Sequence, residues 1–172
     1  MATRRACPTA LDAVLETSFR VDRSQLDVVC ALQIVISSDY QGMGISVQMI
    51  ERMAGLARLH GSASLIAPVR PSLKHRYPLT SIDRYVAWRL SDGSHIDPWL
   101  RTHERIGGEL LKVAHRSMVI PGTVAEWEEW TGMTFPETGT YAVPGALVPI
   151  EIHVERDHGL YAEPNVWMLH RL

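Results

Sequence analysis

The chain's 172 residues suffice for one domain with its own core, and a composition 46% hydrophobic and 21% charged is that of a globular protein. A net charge of −2 and a pI near 6.4 give no electrostatic reason to expect nucleic acid or a membrane as partner. Two cysteines, Cys7 and Cys30, make neither a disulfide framework nor a zinc ribbon, so a reducing cytoplasm is the expected compartment.

The opening "MATRRAC" is basic but leads into no sustained apolar segment, which argues against a secretory signal. Residues 9–20 read as a helix: Thr9 can cap it, Asp12 follows as in a capping box, and Leu11, Val14 and Leu15 share a face. The apolar run "VVCALQIVI" (28–36) predicts a strand covered on both sides, and it is too short to span a bilayer. Then comes "DYQGMGIS" (39–46), with two glycines within three residues. Met49, Met53, Leu56 and Ala57 next repeat at helical spacing, predicting a helix from Ile45 to His60 that stops at Gly61. "ASLIAPVR" (63–70) predicts a second buried strand, parallel to the first and reached by a right-handed crossover.

Beyond Pro71, "PSLKHRY" and "SIDRYVAW" predict short helices broken by Pro78. "DPWLRTHERIG" predicts a helix capped by Asp97, with Pro98 at its first position. Residues 109–120 are strand-like, and 123–132 are helical with a Thr123/Glu126 capping box. Two last strands are expected at 146–154 and 165–172, joined by a polar turn containing "DHG". No repeat or linker divides the chain, so residues 1–172 form a single domain of mixed α/β (α+β) class.

A strand, a glycine turn and a helix start together make a place where backbone N–H groups can hold an anion. A dinucleotide fingerprint fails because Val47 stands where a third small residue is required, and a nucleotide phosphate loop fails for want of Gly-Lys-Ser/Thr. A plain structural turn without a ligand is the other reading. "QGMGIS" resembles the acyl-CoA-binding motif of the GNAT superfamily of N-acetyltransferases, Gln/Arg-x-x-Gly-x-Gly/Ala between a strand and a helix. Gln41 and Gly44 match, and the small Ser46 stands where Gly or Ala is usual.

The resemblance implies a GNAT-like fold: a central strand–helix–strand unit, then antiparallel strands at the carboxy-terminal end. It implies acetyl-CoA, or another acyl-CoA, as co-substrate, no metal, and a small-molecule or peptide amine as acceptor. Gln41, Gly42, Met43, Gly44, Ile45 and Ser46 would hold the CoA pyrophosphate at the positive end of the helix dipole. The backbone of Ile34, Val35 and Ile36 would pair with the pantetheine arm as if it were an added strand. The resemblance divides the chain into a short amino-terminal helix (1–27), an acyl-CoA-binding region (28–108) and carboxy-terminal strands with a helix (109–172).

In the family a later helix ends in Tyr-x-x-x-Gly, and that tyrosine protonates the departing thiolate. The matching phrase is "HERIG", which puts His103 at the tyrosine's position, and a histidine can do this work near neutral pH. The competing reading makes His103 a helix-surface residue paired with Glu104 or Arg101, with Tyr85, Tyr77 or His75 as other donors. Glu126, Glu128 and Glu129 would attract a cationic substrate, or else form a solvated face beneath which Trp127 and Trp130 are buried. His153, Glu155, Asp157 and His158 are read as polar residues of a strand end and turn rather than metal ligands, and no Gly-x-Ser-x-Gly elbow supports a hydrolase.

GNAT domains carry several strands and two helices before the motif strand, whereas 27 residues precede Val28 here. The amino-terminal strands are therefore expected to be missing, with that side of the sheet completed by a second copy or a partner chain. The alternative function is a catalytically inactive GNAT-like module that binds CoA or a protein partner.

Overall fold

The computed structural model describes residues 27–172, preceded only by Val14 and Arg20, so the helix expected over 9–20 lies outside the described residues but for those two positions. Strand β1 (Val28–Cys30) leads through a short 3-10 turn at Ser38–Tyr40 into helix α1 (Ile45–Leu59), which returns the chain to strand β2 (Ser64–Val69). β1 and β2 are parallel, with Val28 opposite Ser64 and Cys30 opposite Ile66. This is the strand–helix–strand unit expected, and α1 buries Ile50 and Ala54 against Leu65.

The first strand is much shorter than its apolar run. The last ladder bond runs from the Ala31 N–H to the Ile66 carbonyl, at 2.8 Å. In a parallel ladder the Ala31 carbonyl would next receive the N–H two residues beyond Ile66, and that residue is Pro68, which has none. From Leu32 onward the chain leaves β2, with Val35 80% exposed. The expected strand over 28–36, covered on both faces, is thus cut to 28–30 by a proline in its neighbour.

A 3-10 turn at Lys74–Arg76 and helix α2 (Ile82–Val86) precede α3 (Pro98–Arg105). Asp97 caps α3: its carboxylate accepts from the N–H groups of Trp99 and Leu100. The same buried carboxylate accepts from the Leu73 N–H and the Tyr85 hydroxyl, each at 2.8 Å. One acidic side chain therefore locks three segments around the core of Tyr85, Leu100, Val69, Val166 and Met168.

Strand β3 (Glu109–Gly122), helix α4 (Val124–Thr131), β4 (Gly139–Tyr141), β5 (Ile150–His153) and β6 (His158–Arg171) complete the described chain. β6 is the central strand: β3 runs antiparallel along one of its edges, from Glu109 opposite Leu169 to Gly122 opposite Gly159. Its other edge is shared, β5 pairing with residues 158–160 and β2 with residues 166–171. Residues 161–165 lie between the two partners and carry Pro164, opposite which β3 bulges between Ala114 and Met118.

The last two strands differ from their expected bounds. The first is 150–153 rather than 146–154, the second is 158–171 rather than 165–172, and β4 had no distinct signal. The "DHG" turn closes tighter than expected, Asp157 taking the left-handed conformation while His158 already pairs with His153. In α4 the capping box is present, but only Trp127 is buried; Trp130 is 53% exposed and meets it edge-on. No helix among the described residues is long and apolar enough to cross a membrane.

Candidate active site

At the mouth of α1 the backbone adopts the conformation that the two glycines permit. Gly42 and Gly44 have φ of 79° and 74°, and a side chain at either would be strained although the space around both is open. No side chain caps α1. Among the described residues, the N–H groups of Gly42, Met43 and Gly44 have no backbone or side-chain partner, and Ile45 and Ser46 open the first turn of the helix. Gln41 behaves differently: its N–H goes to the Ser38 carbonyl and its side-chain amide to the Ile36 carbonyl, each at 3.3 Å. It ties the turn to the segment leaving β1.

Where that segment parts from β2, a cleft of about 560 Å³ opens. One wall is Ala31 to Ile34, another is β2 from Leu65 to Val69 with Arg70 just beyond it, and α1 contributes Ile50. α3 supplies Trp99 and His103; β6 supplies Glu163, Asn165 and His170. Ile34 and His103, far apart in sequence, therefore share one cavity, while Val35, Ile36 and the turn from Gln41 to Ser46 lie outside its lining.

His103 is 2% exposed, which overturns the reading of it as a helix-surface residue. The partners proposed for it are engaged elsewhere: Glu104 pairs with Arg89 at 3.1 Å, and Arg101 donates to the His95 carbonyl at 2.6 Å. The His103 ring meets Trp99 edge-on, with centres 4.5 Å apart, and its Nδ1 lies 2.8 Å from Nε2 of His170. Gly108 makes room for this pair, since a Cβ there would fall 2.7 Å from both the His103 carbonyl and Cε1 of His170. Burial, and then the neighbouring His170, push the His103 pKa down to about 4, so the ring is neutral at pH 7. Its Nε2 is buried, and among the described residues it has no hydrogen-bond partner.

The other end of the cleft is polar. Arg70 Nε donates to Oε2 of Glu163 at 2.9 Å, and the Tyr161 hydroxyl donates to the same oxygen at 2.9 Å. Arg70 also donates to the Gly145 carbonyl, fastening the end of β2 to the loop before β5. Asn165, two residues along β6, is 7% exposed, and among the described residues its Oδ1 has no partner. Sequence reading missed His170, Glu163 and Asn165, because no local motif surrounds them; the one signal was a run of polar residues within an otherwise apolar last strand.

The remaining candidates have structural roles. Desolvation, and then the Asp97 carboxylate to which it donates, hold the proton of the buried Tyr85 hydroxyl tightly, and none of Tyr85, Tyr77 and His75 lines the cleft. Glu126 completes the capping box, and Glu128 accepts from the Phe135 N–H. Glu155 accepts from the Thr138 hydroxyl and Asp157 from the Val124 N–H. Among the described residues no group of three or more His, Cys, Asp or Glu side chains is placed to hold a metal ion.

No protein-family profile matches the chain. The arginine N-acetyltransferase avaD of Aspergillus versicolor is 29% identical to it over 181 residues, covering 92% of this chain. The chain spans 62% of the length of that curated relative. The crystal structure of the loading GNATL domain of CurA from Lyngbya majuscula superposes with a TM-score of 0.53 at 17% identity, over 84% of this chain and 55% of that one. A parallel pair that parts beside a glycine-opened helix gives this chain the fold of a GNATL domain, and its sequence is similar to that of an N-acetyltransferase.

Proposed function

We propose that this protein is an acyl-CoA-dependent N-acyltransferase that moves an acetyl group from acetyl-CoA to an amine. The observation that carries the reading is the cleft opened at Pro68, which joins an unpaired strand segment on one wall to a buried imidazole with a free nitrogen on another. The amides from Gly42 to Ser46 would take the CoA pyrophosphate, with the α1 dipole adding to their attraction. The backbone from Ile34 to Ile36 would take the pantetheine amides. The thioester then enters an apolar part of the cleft beside Ile34, Ile50 and Leu65.

Chemistry begins with a neutral amine attacking the thioester carbonyl. The new N–C bond forms, the C–S bond breaks, and a proton must pass from nitrogen to sulfur. A histidine with a pKa of about 4 is not a standing acid at neutral pH. We therefore assign His103 a shuttle role: Nε2 accepts the proton from the attacking nitrogen and returns it to the thiolate, and the ring ends neutral as it began. His170 supports this by accepting from Nδ1–H, which leaves the lone pair on the buried, unpartnered Nε2.

The relative's name makes arginine the first acceptor to test. The cytoplasm is the compartment we assign, consistent with the free thiol of Cys30, whose pKa burial raises to about 11. Calorimetric titration with acetyl-CoA and CoA, followed by assay of CoA release with a panel of amines, tests the reading. Binding with amine-dependent release supports the transferase, and binding without release across the panel supports a non-catalytic module. No binding at millimolar CoA overturns both.

A further inference from the structure

We infer that Glu163 and Asn165 form an acceptor subsite in the cleft, and that it takes a cationic head group rich in N–H donors, a guanidinium in preference to an ammonium. This rests on the transferase reading above and extends it to the acceptor's chemistry. The two residues lie two apart on β6, within the stretch 161–165 that neither β5 nor β2 pairs, and both line the cleft.

Each leaves an acceptor oxygen unanswered. Arg70 and Tyr161 both address Oε2 of Glu163, and among the described residues nothing donates to Oε1. Among the described residues, nothing donates to the buried Oδ1 of Asn165 either. A buried acceptor without a donor costs on the order of 1–3 kcal/mol, so its presence in the wall of a cavity points to a donor brought by a ligand. Two acceptors in one wall call for a ligand with several donors and no acceptor; guanidinium offers five N–H bonds in a planar fork, and ammonium three.

The charge balance favours a cation as well. Arg70 is half exposed, so solvent screens its charge, while the Glu163 carboxylate is buried and faces the cleft. Arg70 and Tyr161 hold that carboxylate in one orientation without using its second oxygen. The subsite is also distinct from the proton shuttle. Asn165 and His170 are five residues apart on β6, or about 16 Å of strand. The head group at Asn165 is therefore recognised apart from the proton shuttle.

The test is direct titration of the full chain with L-arginine and with its neutral isostere L-citrulline, in the presence and absence of CoA. Arginine should bind at least about ten-fold more tightly than citrulline, the scale of one charge-assisted hydrogen bond. Asn165→Leu should weaken arginine by a similar factor and leave CoA affinity unchanged. Asn165→Asp, which keeps an acceptor oxygen, should retain arginine binding, and Glu163→Gln should narrow the gap between arginine and citrulline. Circular dichroism of each variant separates lost binding from lost folding. Equal affinity for arginine and citrulline, or wild-type arginine affinity in folded Asn165→Leu, overturns the subsite. Amine-dependent CoA release alongside either result leaves the transferase reading intact. Absence of CoA binding with arginine still selected over citrulline would instead sink the transferase and keep the subsite.

Discussion

Nδ1 of His103 and Nε2 of His170 approach to 2.8 Å inside the protein, joining the last turn of α3 to the end of the final strand. Neither ring can be charged cheaply there, because burial lowers both pKa values. The pair therefore shares one hydrogen, and its placement decides which form of His103 meets the cleft.

His170 should consequently act as a positioning residue. Replacement by Gln, whose side-chain oxygen can accept from His103 Nδ1–H, should keep kcat within about five-fold of wild type; replacement by Leu should lower it by about a hundred-fold, within the range of a lost general base. KM for acetyl-CoA should hold in both. Equal loss in the Gln and Leu variants would show that His170 only fills space.

His103→Phe should abolish most turnover and leave CoA affinity unchanged, and it should also alter the pH dependence of stability. In the folded protein His103 takes up a proton only near pH 4, whereas unfolded histidine does so near 6.5. Between these values the unfolded state binds the extra proton, so stability is full above pH 6.5 and falls as pH drops toward 4. At about 1.4 kcal/mol per pKa unit the loss reaches about 3 kcal/mol by pH 4. Urea melts at pH 7.5 and 4.5 should show a smaller difference in the Phe variant than in wild type; equal differences would remove His103 as the source.

Asp97→Ala should destabilise the fold by about 3 kcal/mol or more, since it strips the cap of α3 and leaves the Tyr85 hydroxyl and the Leu73 N–H buried without an acceptor. Asp97→Asn, which keeps one acceptor oxygen, should lose less. Denaturant midpoints measure both, and Asp97→Ala within about 1 kcal/mol of wild type would contradict the locking role.

Pro68→Ala restores the donor that the parallel ladder lacks at this point. The new N–H can reach the Ala31 carbonyl, extend β1 and narrow the cleft. Stability should rise by about 1 kcal/mol while acyl-CoA affinity falls, a trade visible in paired thermal melts and calorimetry. Unchanged affinity together with higher stability would detach the splay from cofactor binding.

Most of the secondary structure was legible from local pattern. The helix over 45–59, the capped helix that opens at Pro98 and the strand at 64–69 follow from side-chain periodicity and caps, which depend on neighbours in sequence. The end of β1 was not, because its apolar run is ordinary and what stops it is the missing N–H of Pro68 on another strand. His103 shows the same division within one residue. Its match to the family's Tyr-x-x-x-Gly phrase raised it as a candidate, but the sequence favoured a surface residue paired with Glu104 or Arg101. Burial against Trp99, contact with His170 and a place in the same cleft as Asn165 come from strands and helices that meet only in the fold. Sequence by itself determined where the chain turns, coils and extends. Tertiary structure decided which polar atoms are enclosed without partners, because desolvation depends on everything that packs around a group and not on the residues beside it in the chain.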